Sequence, residues 1–398
     1  MNAQNRAWVL GMCETGLTAM RSLGRAGIPV TGVDWNPDEP GRYSRFGVFE
    51  RSPSPSDDPQ ALLEWLIQMG KQNPASGILL PATDAYTAFV SRNRDALAPY
   101  FLFALPPAPI MDALLDKYLH VRLAEEMGEK TPFTLLIDEN IDLLGASRQL
   151  RYPAYIKARY THLWKQVYTH KGFQVNTPEE FIQICEQIIR NNLSAIAQDI
   201  IAAPITNHYE VNFYRSVQVG HPILAILQVR KIRQYPPGLG CGSLVETYEN
   251  PTVLERTLRF AEKIDFQGIG NIEYIYDEVT HEYYLVELNA RLWQQNAQAD
   301  YCGINFPLIA YRDLQGETQP ARLQTIPRVK WLDIISDYRS FRELHKSKKL
   351  GTLAWLKSLK GVKVMATFAW DDWMPTLHVL AHGLRYLWSR SVRSASRQ

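Results

Sequence analysis

The stretch Gly268-Ile269-Gly270-Asn271-Ile272-Glu273-Tyr274-Ile275-Tyr276, the polar run Asp277-Glu278-Val279-Thr280-His281-Glu282, and Tyr283-Tyr284-Leu285-Val286-Glu287-Leu288-Asn289-Ala290-Arg291 decide how this chain is read. Ile269–Tyr276 and Tyr283–Asn289 are rich in β-branched and aromatic residues on either side of a polar loop, which predicts an antiparallel hairpin. Alternate strand residues share a face, so Glu287 and Asn289 point the same way, about 7 Å apart along the strand. A register that sets Glu273 opposite Glu287, and with it Tyr276 opposite Tyr284, brings two carboxylates and an amide oxygen onto one surface. Like charges gather there at a cost unless a cation lies between them. An all-oxygen set suits Mg²⁺, which takes its remaining ligands from water and phosphate oxygens. The competing reading is a solvated hairpin face with ordinary surface acids; Asn289 fits it poorly, since asparagine is depleted in strands. Arg291 extends the same face with a fixed positive charge.

Working outward, the lysines come next. Tyr152-Pro153-Ala154-Tyr155-Ile156-Lys157-Ala158 reads as a short strand ending in a lysine, and Asp116-Lys117 sits in a helix predicted over about 110–127. Further basic groups follow in Arg230-Lys231-Ile232-Arg233, ahead of the glycine-bearing loop Pro236–Ser243, whose N–H groups are open to an anion. Each element alone is an ordinary solvated charge or turn. Combined with a magnesium face they suit triphosphate chemistry, which spreads positive charge over several oxygens.

The N-terminal third is organised differently. Ala7–Leu10 reads as a strand, Gly11–Gly16 as a loop, Leu17–Ala26 as a helix and Val30–Val33 as a second strand ending at Asp34; Gly77–Leu80 follows the helix around Ala61–Met69. This βαβ pattern predicts an open parallel α/β domain over residues 1–109, closed by Leu105-Pro106-Pro107-Ala108-Pro109. Gly11-Met12-Cys13-Glu14-Thr15-Gly16 is not G-x-G-x-x-G, and Glu14 would repel a pyrophosphate, so the turn is read as structural or as lining another substrate. Thr177-Pro178-Glu179-Glu180 and Asn250-Pro251 each announce a helix start.

Composition bounds the rest. The 398 residues suit two or three domains, and a net charge of +2 gives no whole-chain reason to expect nucleic acid. Cys13, Cys185, Cys241 and Cys302 are scattered without metal-ligand spacing, and Met1–Ala7 lacks a signal-peptide design, so a reducing cytoplasm is the expected location. Beyond about residue 310, Trp331–Tyr338 is expected to be extended, and Leu377–Trp388 to be an amphipathic helix. Arg385, Arg390, Arg393 and Arg397, with no acid after Asp372, suggest a peripheral membrane contact; a helix packed on the protein body is the other reading.

Read in order, these pieces resemble the ATP-grasp superfamily of ligases. The likeness runs from Asp116-Lys117-Tyr118, through Thr131-Pro132, Tyr152-Pro153 to Lys157, Ala197–Ile201, Glu273 and Glu287–Arg291, to Gly303–Pro307. A branch of carboxylate–amine ligases is similar in His162-Leu163-Trp164-Lys165 leading to Lys171, in Arg230–Pro237 and in Trp370–Pro375. The resemblance implies an N-terminal α/β domain, a two-subdomain α+β ATP-grasp unit over 110–310 with a lid at about 130–200, and a C-terminal extension over 311–398. It implies ATP between the subdomains, with Lys117 and Lys157 on its phosphates, Gln198, Asp199, Ile200 and Ile201 as the hinge that reads adenine, and Glu210 at the ribose. Glu273, Glu287 and Asn289 would hold Mg²⁺, and Arg291 with Arg230 or Lys231 would stabilise the transferring phosphoryl group. The sequence departs from the superfamily in two places: Arg159–Lys165 replaces a glycine-rich lid loop, and Asp199 with Ala202-Ala203-Pro204 replaces the usual hinge ending. The implied activity is ATP-dependent coupling of a small carboxylate to an amine through an acyl phosphate, in a cytoplasmic enzyme that would form homodimers. The alternatives are a non-catalytic ATP-binding protein and a phosphotransferase.

Overall fold

A computed structural model describes residues 5–73, 75–238, 240–322 and 326–382; for residues 161, 162 and 165 the description is of the backbone only. The N-terminal sheet is wholly parallel, with strand order Val48–Arg51, Val30–Asp34, Ala7–Leu10, Gly77–Pro81 and Phe101–Leu102. Ala7–Leu10 is buried along its whole length, as a central strand covered on both faces must be. The first helix, Glu14–Arg25, begins three residues earlier than the sequence reading placed it. Gly16 permits this: a Cβ there would lie 1.8 Å from the Gly11 carbonyl oxygen, so only glycine lets the first turn sit so close to the strand end. Asp34 accepts the Met12 N–H at 2.6 Å and the Asn36 N–H at 3.0 Å. It is spent on the backbone of the loop.

The predicted helix at 110–127 is two helices, Ala108–Leu115 and Lys117–Glu126. Asp116 breaks it. Its carboxylate caps the second helix by accepting the N–H groups of Tyr118 (2.9 Å) and Leu119 (3.2 Å), a local bond that competes with helix continuation. The Thr177 cap forms as expected on Pro178–Arg190, with Phe181, Cys185 and Ile188 buried.

A second sheet, antiparallel, has the order Thr134–Ile137, Ala195–Asp199, Ala154–Ala158, Gly172–Val175, and packs on Pro178–Arg190 with a hydrophobic cluster of its own. The third has seven strands: Glu282–Asn289, Gly268–Asp277, His208–Arg215, Ile223–Tyr235, Cys241–Thr247, Lys330–Leu332 and Val362–Met365. Its core is shared with the N-terminal sheet, since Val9 and Met20 belong to one cluster with Tyr214, Trp293 and Phe306. The stretch from Trp331 to Tyr338 is not extended throughout. Strand Lys330–Leu332 gives way at Asp333 to helix Ile334–Lys346, because Asp333 accepts the Ile335 and Ser336 N–H groups as a cap. The final helix is described over residues 374–382; the rest of the expected helix, with Arg385, Arg390, Arg393 and Arg397, lies outside the described residues. Among the described residues, no helix is long and apolar enough to cross a membrane.

Candidate active site

The hairpin forms, and Glu273 stands opposite Glu287 and Asn271 opposite Asn289. A bulge after Glu273 shifts the remainder by one residue, so Tyr276 faces Tyr283 rather than Tyr284. One strand further in, Glu210 is the cross-strand partner of Glu273. Three glutamates therefore stand in a row across three strands, and strand alternation keeps them on one face.

Lysines neutralise the row. The Lys117 ammonium, at the start of its capped helix, donates to Glu287 at 2.8 Å. The Lys231 ammonium donates to Glu273 at 2.5 Å and lies 3.6 Å from Glu210. Lys117 holds Glu287 well below the usual carboxylate range, outweighing the opposing effect of burial. Burial also opposes the charge on Glu273, but Lys231 wins and holds it at about 2, with His208 3.5 Å away. Glu210 goes the other way: burial and the neighbouring Glu273 push it up despite Lys231. Asn271 completes the row by donating to Glu210 (3.3 Å) and Asn212 (2.7 Å) and accepting from Asn289 at 3.4 Å.

Lys157 is different. It is the penultimate residue of strand Ala154–Ala158 on the separate four-stranded sheet and, among the described residues, has no hydrogen-bonded or carboxylate partner. Burial, and then the nearby Lys117, lower its pKa to about 8. Two cations with one carboxylate between them leave an uncompensated positive charge at the junction of the two sheets. His120, one turn after Lys117, is buried with an unpartnered Nε2 and is pushed down to about 4 by burial together with Lys157 and Lys117. It is neutral at pH 7 and adds nothing to the repulsion. Arg291 lies at the other end of the row, bonded to Asp84 and, at 3.3 Å, donating to the Asn289 side-chain oxygen Oδ1.

The second sheet is tied to the helix Lys117–Glu126 through its cap Asp116, which accepts from Arg159 (2.8 Å) and the Tyr160 hydroxyl (2.7 Å). On the far side, Lys171 reaches the Cys241 sulfur at 3.1 Å. The bulky Arg159–Lys165 segment thus works partly as a tether, by side chains that a glycine loop lacks.

Not every candidate converges. Arg230 alternates with Lys231 and faces the opposite side of the sheet from the acidic row, where it bonds Glu246 (2.8 Å) and lies 4.0 Å over the Tyr248 ring. Arg233 is also committed elsewhere, to buried Asp337 at 2.8 and 3.0 Å. Gln198 donates to Thr134 (2.8 Å) and Asp199 accepts the Arg151 N–H (2.9 Å), so both side chains serve the small sheet. The strand ends at Asp199, and Ile200 and Ile201 run on without regular structure. Glu210 sits in the acidic row, 3.6 Å from the Lys231 ammonium. His120, His208, Asn271 and Asn212 escaped the sequence reading, because single polar residues on apolar strands and helices carry no spacing signal.

Among the described residues, no three His, Cys, Asp or Glu side chains form a self-sufficient metal cage. The donor set nevertheless fits a hard divalent cation. Opposed Glu273 and Glu287, with Asn289 two residues on, supply only oxygen atoms, and each carboxylate is at present balanced by a lysine.

The family model for the ATP-binding domain of the carbamoyl-phosphate synthase L chain matches residues 243–313. The chain is 24% identical over 293 residues to a D-aspartate ligase of Enterococcus faecium (strain Aus0004), covering 69% of this chain and 68% of that protein. Its fold is similar to N5-carboxyaminoimidazole synthetase from Staphylococcus aureus complexed with ADP (TM-score 0.65, 14% identity, 87% of each chain covered). It is also similar to the L-amino acid ligase from Bacillus licheniformis (TM-score 0.59, 15% identity, 80% of this chain and 78% of that one).

Proposed function

We propose that this chain, which has the ATP-grasp fold, is an ATP-dependent ligase that joins a small carboxylate to an amine and releases ADP and phosphate. The observation that carries the reading is Lys157: a half-buried, unpartnered cation beside Lys117, facing a row of acids from another sheet. A polyphosphate satisfies both halves, its oxygens taking the lysines and its bound metal taking the acids. Glu273, Glu287 and Asn289 are the residues that would hold Mg²⁺, which when bound would neutralise charge on the phosphate oxygens. Arg291, held by Asp84, is placed to steady the phosphoryl group as it passes from ATP to the carboxylate. In that step a carboxylate oxygen attacks the γ-phosphorus and ADP leaves. The amine then attacks the acyl carbon, phosphate leaves, and the nitrogen gives up a proton. Phosphate leaves far more readily than a carboxylate oxygen, so two feasible steps replace one prohibitive one.

The substrates have an entrance. A cleft of about 220 Å³ is lined by Glu14, Asp333 and Arg339, among others. Two carboxylates and an arginine suit a substrate that carries both an amine and a carboxylate. The relatives' names, D-aspartate ligase and L-amino acid ligase, support the same class.

Product analysis tests the proposal: protein, magnesium, ATP and a panel of amino acids should yield ADP and phosphate in equal amounts with a condensed product. Formation of AMP and pyrophosphate would reject it.

Lys157 sets a pH dependence. Its pKa is lowered to about 8 in the free protein, and an adjacent phosphate favours the ammonium and raises it. Binding therefore takes up a proton at higher pH: nucleotide affinity is full below pH 8 and falls as pH rises through that value, by up to about tenfold per pH unit. Calorimetric titration with ADP over this range should show the decline, and Lys157→Arg should flatten it, since arginine stays charged. A flat parent profile would remove Lys157 from the phosphate site.

A further inference from the structure

Near its C-terminal end the chain packs inside out. Asp372 is buried, and its carboxylate accepts from Arg21 Nε (2.8 Å), the Ser44 hydroxyl (2.7 Å) and the Arg45 N–H (3.0 Å). Arg21 also donates to the Asp372 carbonyl at 2.6 Å, and Asp371 pairs with Arg25 at 2.7 and 2.8 Å. Pro375 is buried, and His378 stacks on Tyr43 with ring centroids 4.1 Å apart while bonding the Asp38 carbonyl at 2.9 Å. The polar residues thus clamp this segment to the N-terminal unit, and the apolar ones are left in solvent. Trp370 is 89% exposed, Trp373 52%, Met374 47%, Leu377 50% and Leu380 50%. Just after Trp373, Met374, Leu377 and Leu380 recur every three positions along the helix of residues 374–382, which gathers them on one side. Scattered exposed apolar residues need no explanation, but five large ones in eleven positions form a patch that water disfavours.

We propose that this stripe seats the protein on an anionic membrane surface. Charge selects that occupant. From Trp373 to Gln398 the sequence contains no Asp or Glu, and its arginines are Arg385, Arg390, Arg393 and Arg397. Two copies meeting stripe to stripe would bring like-charged tails together, whereas acidic headgroups neutralise them. Tryptophan suits the headgroup level, where an apolar ring with one polar N–H meets both environments. The apolar spacing also continues in the sequence at Leu384 and Leu387, beyond the described residues. Val379, on the inner side of the same helix, lines the cleft with Glu14 and Arg339. A membrane held by the stripe would therefore lie behind the wall of the substrate entrance.

Sedimentation of the full chain with phosphatidylcholine vesicles, with and without phosphatidylserine, tests this. The protein should pellet with the serine-containing vesicles, less so at high salt, and its tryptophan emission should shift to the blue. The triple variant W370S/W373S/L377S should partition about tenfold or more weakly. Its melting temperature and its ADP formation in solution should be unchanged, since none of the three touches the active site. Equal binding to both vesicle types, no binding to either, or undiminished binding of the variant would overturn the proposal. So would a dimer in solution that the same variant dissolves, which would make the stripe a self-interface.

Discussion

Glu287→Gln should lower the rate of ADP formation by about 10²- to 10³-fold while leaving the fold intact. The substitution keeps the shape of the side chain and an oxygen that can accept from Lys117, so stability should change by no more than about 1 kcal/mol. It removes the charge that balances Lys117 at 2.8 Å and one of two carboxylates opposed across the hairpin. With that charge gone, Lys117 and Lys157 face each other uncompensated, and the oxygen set for a divalent cation loses half its negative charge. Free nucleotide, itself an anion, should still bind, so the loss should appear in kcat more than in KM. Steady-state rates at saturating MgATP, with a thermal melt as control, make the measurement. A rate within tenfold of the parent would remove Glu287 from the metal site.

Lys231→Met should cost about 3–5 kcal/mol of folding stability, because it leaves two buried carboxylates facing each other. Glu273 and Glu210 lie 2.5 and 3.6 Å from the Lys231 ammonium, and among the described residues no other cation as close offsets both. The pH dependence should reverse as well. In the parent, Glu273 is depressed to about 2, so its contribution is present above the unfolded carboxylate range and is lost as pH falls toward 2. In the variant, burial and mutual repulsion raise both glutamates above their unfolded values, so stability should increase as pH falls from 7 to 5. Adding Glu210→Gln removes the repulsion and should recover part of the loss. Urea titrations at pH 5 and 7.5 distinguish the outcomes; a variant as stable as the parent at both would show that Lys231 is not the counter-charge of the row.

Much of the site was legible before any coordinates. Glu273, Glu287, Asn289 and Arg291 could be gathered from strand period and a single hairpin register, because alternation is a local rule. The register of the tyrosines was missed because a bulge leaves no mark in residue type. Arg230 and Lys231 show where local reasoning fails: the run Arg230-Lys231-Ile232-Arg233 looks like one basic patch, yet its charged members go to Glu246, to Glu273 with Glu210, and to Asp337. Adjacent strand residues must diverge, and which face meets the acids depends on strands His208–Arg215 and Gly268–Asp277, both distant in sequence. Asp116 was misread for a related reason, since its cap and its bonds to Arg159 and Tyr160 are decided together.

By itself the sequence determined the parallel N-terminal sheet, the acid-bearing hairpin and the kind of ion that hairpin suits. These follow from periodicity, turn chemistry and side-chain charge, all of which act over a few residues. Only the tertiary structure decided that Lys157 stands unpaired beside Lys117, that Glu210 joins the acidic row, and that Asp371 and Asp372 turn an apolar stripe toward solvent. Those facts depend on which distant segments share a surface, and a buried charge takes its meaning from the partner that packing puts, or fails to put, within a few ångströms of it.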